Sequence, residues 1–324
     1  MSADKKAAER IKRNQERLLK VSSGAAELEI WLKDLLRAGL LQLPQQNEEW
    51  FEKMRLKMTD AQATGLGNLV RALKELPFKN DEDWQSESIH IISRMFLLIE
   101  GIRSLEKLDS DTQADIRYLS GWSVNQKDIL EDENAINTSD HWLLIARITE
   151  MADDITVQRN YLYGLHTGKF AVQINFAFRN TPISSNLTPG VVQEIELVFV
   201  PSALPLRAII RKSGEEKNYI PEQIVLLPNF SALFETMAQF RGKYPWVEDY
   251  PFAVAEVSAM KLENCFFLKD REGKATEISA DFDFLRCLNL LACTGGRPYD
   301  LFVLFSRGKL IPLGIIGKKR YVLL

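Results

Sequence analysis

Near residue 140 the apolar residues of this chain change their period from 3.6 to 2, and no other feature constrains the fold as tightly. A helix returns to the same face every three or four residues and a strand every second one. A chain holding the two patterns in separate blocks must therefore build a helical part and a sheet part. In the first block Leu28, Trp31, Leu32 and Leu35 predict a helix that starts near Ser23 and is stopped by Gly39 and Pro44. Trp50, Phe51, Met54 and Met58 predict a second helix. Leu66, Leu69, Val70 and Leu73 predict a third that ends at Pro77, with Gly65 and Gly67 in the join. Ile89, Ile92, Met95, Phe96, Ile99 and Ile102 outline a fourth, and the unbroken apolar run over 95–99 marks it as the central helix, buried on more than one side. Ser110 followed by Gln113 reads as a capping box for a short fifth helix ending at Gly121.

Residues 126–140 are polar and acid-rich, with Asp128, Glu131, Asp132 and Glu133, and predict the boundary between the blocks. Beyond it Phe170, Val172, Ile174, Phe176 and Phe178 alternate with Lys169, Ala171, Gln173, Asn175 and Ala177. That is the pattern of a strand with one buried face, entered through a turn at His166, Thr167 and Gly168. Ile195, Leu197 and Phe199 predict a further strand, and Leu206, Ala208 and Ile210 another. Asn229 caps a predicted helix with the face Phe230, Leu233, Phe234 and Met237. Phe284, Cys287, Leu288 and Leu291 outline a second one ending at Gly295 and Gly296. Residues 270–273 and 306–308 read as hairpin loops. The expected fold class is α+β, an N-terminal all-helical domain followed by a mainly antiparallel β-rich domain with two or more packed helices. The expected parts are a basic helical extension over 1–21, the helical domain over 22–125, an acidic linker over 126–140 and the α+β domain over 141–324.

A formal net charge of −3 argues against a whole-protein field that draws in nucleic acid or acidic membranes, so any such attraction must be local. Three cysteines, Cys265, Cys287 and Cys293, are too few and too scattered for a disulfide framework. The first residues, charged through Lys20, lack the apolar stretch of a signal peptide, and no run of about 18 apolar residues occurs. A cytoplasmic location without membrane contact is expected.

A zinc site needs about four Cys or His ligands at close spacing. Here no Cys-x-x-Cys or Cys-x-Cys occurs and His90, His141 and His166 fall in three different elements, so all six residues are assigned structural roles. Gly65-Leu66-Gly67 has no preceding strand and no third glycine, and Thr294-Gly295-Gly296-Arg297 lacks the Lys-Ser/Thr of a P-loop. A glycine pair after a helix is ordinarily a cap, which leaves Arg297 as an anion contact at most. With three histidines and no G-x-S-x-G, nothing favours nucleophilic catalysis. Asp153-Asp154 and Asp281 with Asp283 sit where carboxylates cap turns and helices. No catalytic, cofactor-binding or metal-ligating residue is assigned. The local cationic feature is the segment carrying Lys5, Lys6, Arg10, Lys12, Arg13, Arg17 and Lys20. It suits phosphate contacts, but the interleaved Glu9 and Glu16 and the lack of aromatics suit a solvated helix as well. Lys318, Lys319 and Arg320, beside Tyr321, are expected to face solvent on an edge strand.

The pattern Gly24, Glu27-Leu28-Glu29, Trp31-Leu32, Asp34-Leu35, Arg37 and Gly39-Leu40 resembles bacterial SWIM zinc-finger proteins in the region that follows their finger. Met58-Thr59-Asp60-Ala61-Gln62-Ala63 with Gly65-Leu66, Gln113-Ala114-Asp115-Ile116-Arg117 with Gly121-Trp122, and Val157-Gln158-Arg159 with Tyr161-Leu162 look like further landmarks of that family. Trp31, Leu35 and Trp122 among them are read as helical core, and Asp60, Gln62 and Arg117 as turn holders or internal partners. The family's Cys-x-Cys and Cys-x-His motif does not occur in this sequence, so zinc is expected only if a finger lies outside this chain. Such proteins are similar in gene setting to components encoded beside MoxR-type AAA ATPases and von Willebrand factor A proteins. The resemblance therefore implies a non-enzymatic accessory or adaptor that binds partner proteins of those kinds. The competing expectations are nucleic-acid binding through the basic helix and an unrecognised hydrolase or nucleotide-binding activity around 294–297.

Overall fold

The computed structural model describes residues 3–76, 78, 84–123, 125–132, 135–152, 154–179, 181–183, 185–263 and 265–324, with backbone alone at 3–8, 10, 11 and 152. The chain separates into two units, Met1–Asn125 and Gln126–Leu324.

The first unit is helical: α1 (Ala3–Ala38), α2 (Glu48–Asp60), α3 (Thr64–Lys74), α4 (Trp84–Arg103) and α5 (Ser110–Ser120). The helix expected to begin at Ser23 is the second half of α1, which runs unbroken through that point, so the predicted extension over 1–21 and the start of the predicted domain are one element. Gly24 does not interrupt it. A Cβ there would lie 2.5 Å from the Ala61 Cβ, and its absence lets α1 settle on the end of α2. Val21, Ala25, Leu28, Leu32 and Leu35 form the buried stripe of α1. Trp31 is only half-buried, stacked on Trp50 with centroids 4.1 Å apart.

Gly65 and Gly67 lie inside α3, not in a join. A Cβ on Gly65 would meet the Leu119 carbonyl oxygen at 1.8 Å, so this glycine is where α3 touches the end of α5. The α3 helix ends at Lys74, and the stop expected at Pro77 falls outside the described residues. In α4, Ile91, Ile92, Met95, Leu98, Ile99 and Ile102 are buried while Ile89 and Leu97 are 53% and 40% exposed. The central helix thus buries one broad face, not its whole circumference. The cap of α5 is Asp109, whose carboxylate accepts from the backbone of Asp111 and Thr112 at 3.1 and 3.0 Å. Ser110 is already helical, and Gln113 turns back to the Leu108 carbonyl at 2.9 Å. Gly121 ends the helix at φ 113°, as its position predicts. Lys57 to Glu27 at 2.8 Å and Arg103 to Glu29 tie α1 to its neighbours.

In the second unit the stretch expected to be an acidic linker holds α6 (Gln126–Glu131) and the start of β1 (Asn137–Ala152), while Glu133 lies outside the described residues. β2 (Ile155–Gly164), β3 (Phe170–Phe178), β4 (Val192–Phe199) and β5 (Ala208–Lys217) complete a sheet of order β3-β2-β1-β4-β5. Three hairpin-linked strands with a fourth returning beside the first make a Greek key. A parallel bridge from Val172 to Arg207, with the Val172 N–H on the Leu206 carbonyl at 2.7 Å, then curls β3 towards the entry of β5. This is the connectivity of a five-stranded OB-type barrel, a topology that assigns no ligand by itself. Its interior is Trp142, Leu144, Leu162, Ala171, Ile195, Leu197 and Phe199, closed by Leu187.

A second sheet, β6 (Asp249–Leu262), β7 (Cys265–Lys269), β8 (Ala275–Glu277), β9 (Tyr299–Ser306), β10 (Lys309–Ile316) and β11 (Tyr321–Leu323), has the order β11-β10-β9-β6-β7-β8. With α7 (Phe230–Lys243) and α8 (Phe284–Thr294) it shares a core with the outer face of the first sheet. Tyr163 meets Phe302 with centroids 5.2 Å apart, and the Tyr321 hydroxyl donates to the Ile145 carbonyl at 2.7 Å. Asn229 and Asp283 cap α7 and α8 as carboxamide and carboxylate acceptors. The buried side of α8 is Cys287, Leu290 and Thr294. Phe284 and Leu288, read from the sequence as core, are 57% and 41% exposed.

Candidate functional site

β2 and β3 are rich in β-branched and aromatic residues, and their register with β1 decides which of these share a row. Glu150 pairs with Val157 and Val157 with Phe176; Ile155 pairs with Phe178 one step further along. These rows continue the outer face that carries Tyr161, Tyr163 and Val172 into the shared core. Towards the β1–β2 hairpin the face loses its cover: Ile155 is 43% exposed and Phe176 and Phe178 are each 57% exposed. The single buried face predicted for β3 is therefore corrected. Val172 is buried, Phe176 and Phe178 are not, and Ala171 and Ala177 on the opposite side are the buried ones.

The arginines at this patch are each paired with a carboxylate. Arg159 donates to Glu150 at 2.6 Å, Arg179 lies 3.8 Å from Asp154, and the Arg179 guanidinium stands 5.0 Å over the Phe178 ring. Asp153, the other half of the predicted carboxylate pair, is outside the described residues. Behind the patch a polar row crosses the three strands. Arg147 Nε donates to Asn160 at 2.7 Å and Asn160 to Gln173 at 2.9 Å, while Arg147 Nη2 reaches Ser185 and the Leu187 carbonyl. Asn160 at the centre of the row is fully buried and hydrogen-bonded on both sides, while Arg147 and Gln173 are half-buried. Beside the patch opens a cleft of about 960 Å³, with Ile148, Tyr161 and Leu313 among its apolar lining and Arg159, Asp249 and Arg286 among its charged lining. Burial, with Asp249 adding to it, drives the Tyr161 hydroxyl far above the usual phenol range, so it is a neutral donor.

The predicted basic residues divide. Lys12, Arg13 and Lys20 are exposed on α1 and Arg17 is half-buried, whereas the side chains of Lys5, Lys6 and Arg10 lie outside the described residues. Arg17 Nη2 donates to the Gly121 carbonyl at 2.9 Å and its guanidinium lies 4.9 Å over the Trp122 ring. Arg117 approaches the same ring at 5.9 Å. Trp122 is thus half-buried beneath arginines and is not the core residue expected. Arg13, Arg17 and Lys20 come together around a cavity of about 350 Å³ with Asn14, Glu16 and Gln62; Lys12 stays outside it. Arg297 is exposed in the turn after α8, where Gly295 and Gly296 at φ 59° and 71° act as the cap their positions predict.

One cluster escaped the sequence. The buried Asp140 carboxylate accepts from the backbone of His166 and Thr167, from His166 Nδ1 at 2.7 Å and from the Thr167 hydroxyl at 2.6 Å. Burial alone would raise this carboxyl, but the hydrogen bonds from Thr167 and His166 outweigh it and hold it below the usual range. His141 and His166, assigned to separate elements, meet with ring centroids 4.6 Å apart. No nearby-residue signal pointed to this, because 26 residues separate Asp140 from His166. Among the described residues no group of three or more His, Cys, Asp or Glu is arranged to hold a metal ion. No helix among them is long and apolar enough to cross a membrane.

Compared with known proteins, residues 16–119 match the SWIM-associated four-helix bundle domain, from the middle of α1 to the end of α5. This is the region C-terminal to the finger that the helical landmarks resemble. No curated protein and no solved structure matches the chain.

Proposed function

We propose that this protein, which carries the SWIM-associated four-helix bundle domain, is a non-enzymatic accessory component that docks partner proteins on the uncovered end of its β1–β2–β3 face. The observation that supports this reading is the exposed patch of Ile155, Phe176 and Phe178, with half-buried Val157 between them and its internally paired arginines. An exposed apolar centre with aromatics and a polar rim has the composition of a protein interface. Cations already matched by carboxylates give a polyanion little to bind. Following the family resemblance, the proposed partner is a MoxR-type AAA ATPase or a von Willebrand factor A protein in the cytoplasm.

Affinity capture of the full chain from its source cells, with and without nuclease, tests the reading. Nuclease-resistant recovery of such a partner, lost in a Phe176→Ser/Phe178→Ser variant of unchanged melting temperature, is the expected result. Equal recovery by wild type and variant would remove the patch from the proposal. A nucleic-acid role for α1 is the second reading, favoured by the gathering of Arg13, Arg17 and Lys20 on one side of the helix. It requires affinity that falls steeply with salt and is lost in the triple variant Arg10→Glu/Arg13→Glu/Arg17→Glu.

A further inference from the structure

We propose that Arg13, Arg17 and Lys20 of α1, with Asn14 and Gln62, form a binding site for a single phosphoryl group. The three cations sit at i, i+4 and i+7, so they share one face of the helix and repel one another. Among the described residues no ion pair neutralises any of them, and Glu16 is the one carboxylate lining the cavity they surround. Three cations against one carboxylate leave an excess that a phosphate dianion matches.

Arg17 is fixed before any ligand arrives: Gly121 holds one end of its guanidinium and the Trp122 ring lies beneath it. A clamped guanidinium loses little freedom on binding, and with Nη2 held by Gly121 it brings a fixed positive charge to the cavity wall. The Nε of this guanidinium and the Nε1 of Trp122 are buried without a hydrogen-bond acceptor, so the clamp leaves two donors of the cluster unsatisfied in the free protein. Across the cavity Gln62 is held at φ 58°, in the left-handed region, by the bond from its N–H to the Thr59 carbonyl at 2.9 Å. Its carboxamide and that of Asn14 add neutral donors to the charged ones. At about 350 Å³ the cavity has room for a phosphoryl group together with part of the molecule that carries it.

Calorimetric titration of the full chain with inorganic phosphate, at ionic strength matched with chloride, tests the site. A parallel titration with a phosphoserine peptide separates a free anion from a phosphorylated partner. Saturable phosphate binding is expected, weakened at least tenfold in Arg13→Gln/Lys20→Gln, whose substitutions touch only exposed side chains. The phosphoserine peptide should bind more tightly than phosphate if the natural source is a partner protein and no better if it is a small anion. Heats no different from those of chloride, or binding unchanged in the double variant, overturn the proposal. So does salt-sensitive binding of a thymidine oligonucleotide without saturable phosphate binding, which would assign the helix to nucleic acid.

Discussion

Asp140 anchors the β2–β3 turn through four hydrogen bonds from His166 and Thr167, and its protonation should govern part of the acid stability. A carboxyl whose folded pKa is depressed contributes stability that is fully present above its unfolded value, about 3.9, and lost as pH falls through the folded value. Asp140→Asn puts a donor where N–H groups converge and should cost about 2–4 kcal/mol near pH 7. Melting curves from pH 7 to 2 should show wild type losing this advantage below about pH 4, so that the two proteins converge. Gly65 gives the second prediction at this scale. A methyl group 1.8 Å from the Leu119 carbonyl forces α3 and α5 apart, so Gly65→Ala should lower stability in urea by about 3 kcal/mol. The sequence placed Gly65 at a helix join, because a packing glycine and a breaking glycine look alike until the neighbouring backbone is in place.

The helix α8 separates what periodicity reveals about an element from what it hides. Phe284, Leu285, Cys287, Leu288, Leu290 and Leu291 spread apolar residues over more than half of its circumference, so its existence and its ends were legible but its buried side was not. Packing selects Cys287, Leu290 and Thr294 and leaves Leu285 73% exposed. Leu285→Gln should therefore change unfolding free energy by no more than about 0.5 kcal/mol. Leu290→Ala should cost about 2–5 kcal/mol in the same denaturant titration. In β3 the alternation was likewise sufficient to identify a strand, yet it assigned Phe176 and Phe178 to the core. Alternation sorts side chains between two faces; how far the opposing sheet extends along a face depends on a different part of the chain.

Each unit carries its own buried core, with Met95 in the helical unit and Phe302 in the β unit. Scanning calorimetry should resolve two transitions, one lowered by Met95→Ala and the other by Phe302→Ala, with losses of about 2–5 kcal/mol each. A single transition shifted by both substitutions would show that the units unfold together. The division into helical and sheet parts, most of the helices, the caps at Asn229 and Gly121 and the glycine cap after α8 were determined by the sequence alone. They depend on interactions within one or two turns of the chain, which local pattern records directly. The seating of Gly24 on Ala61, the closure of β3 towards β5, the Asp140–His166 cluster, the uncovered Phe176 and Phe178 and the gathering of Arg17 with Trp122 were decided only by the tertiary structure. Each joins or exposes groups through segments distant in sequence, and one sequence without its fold does not say which distant segments meet.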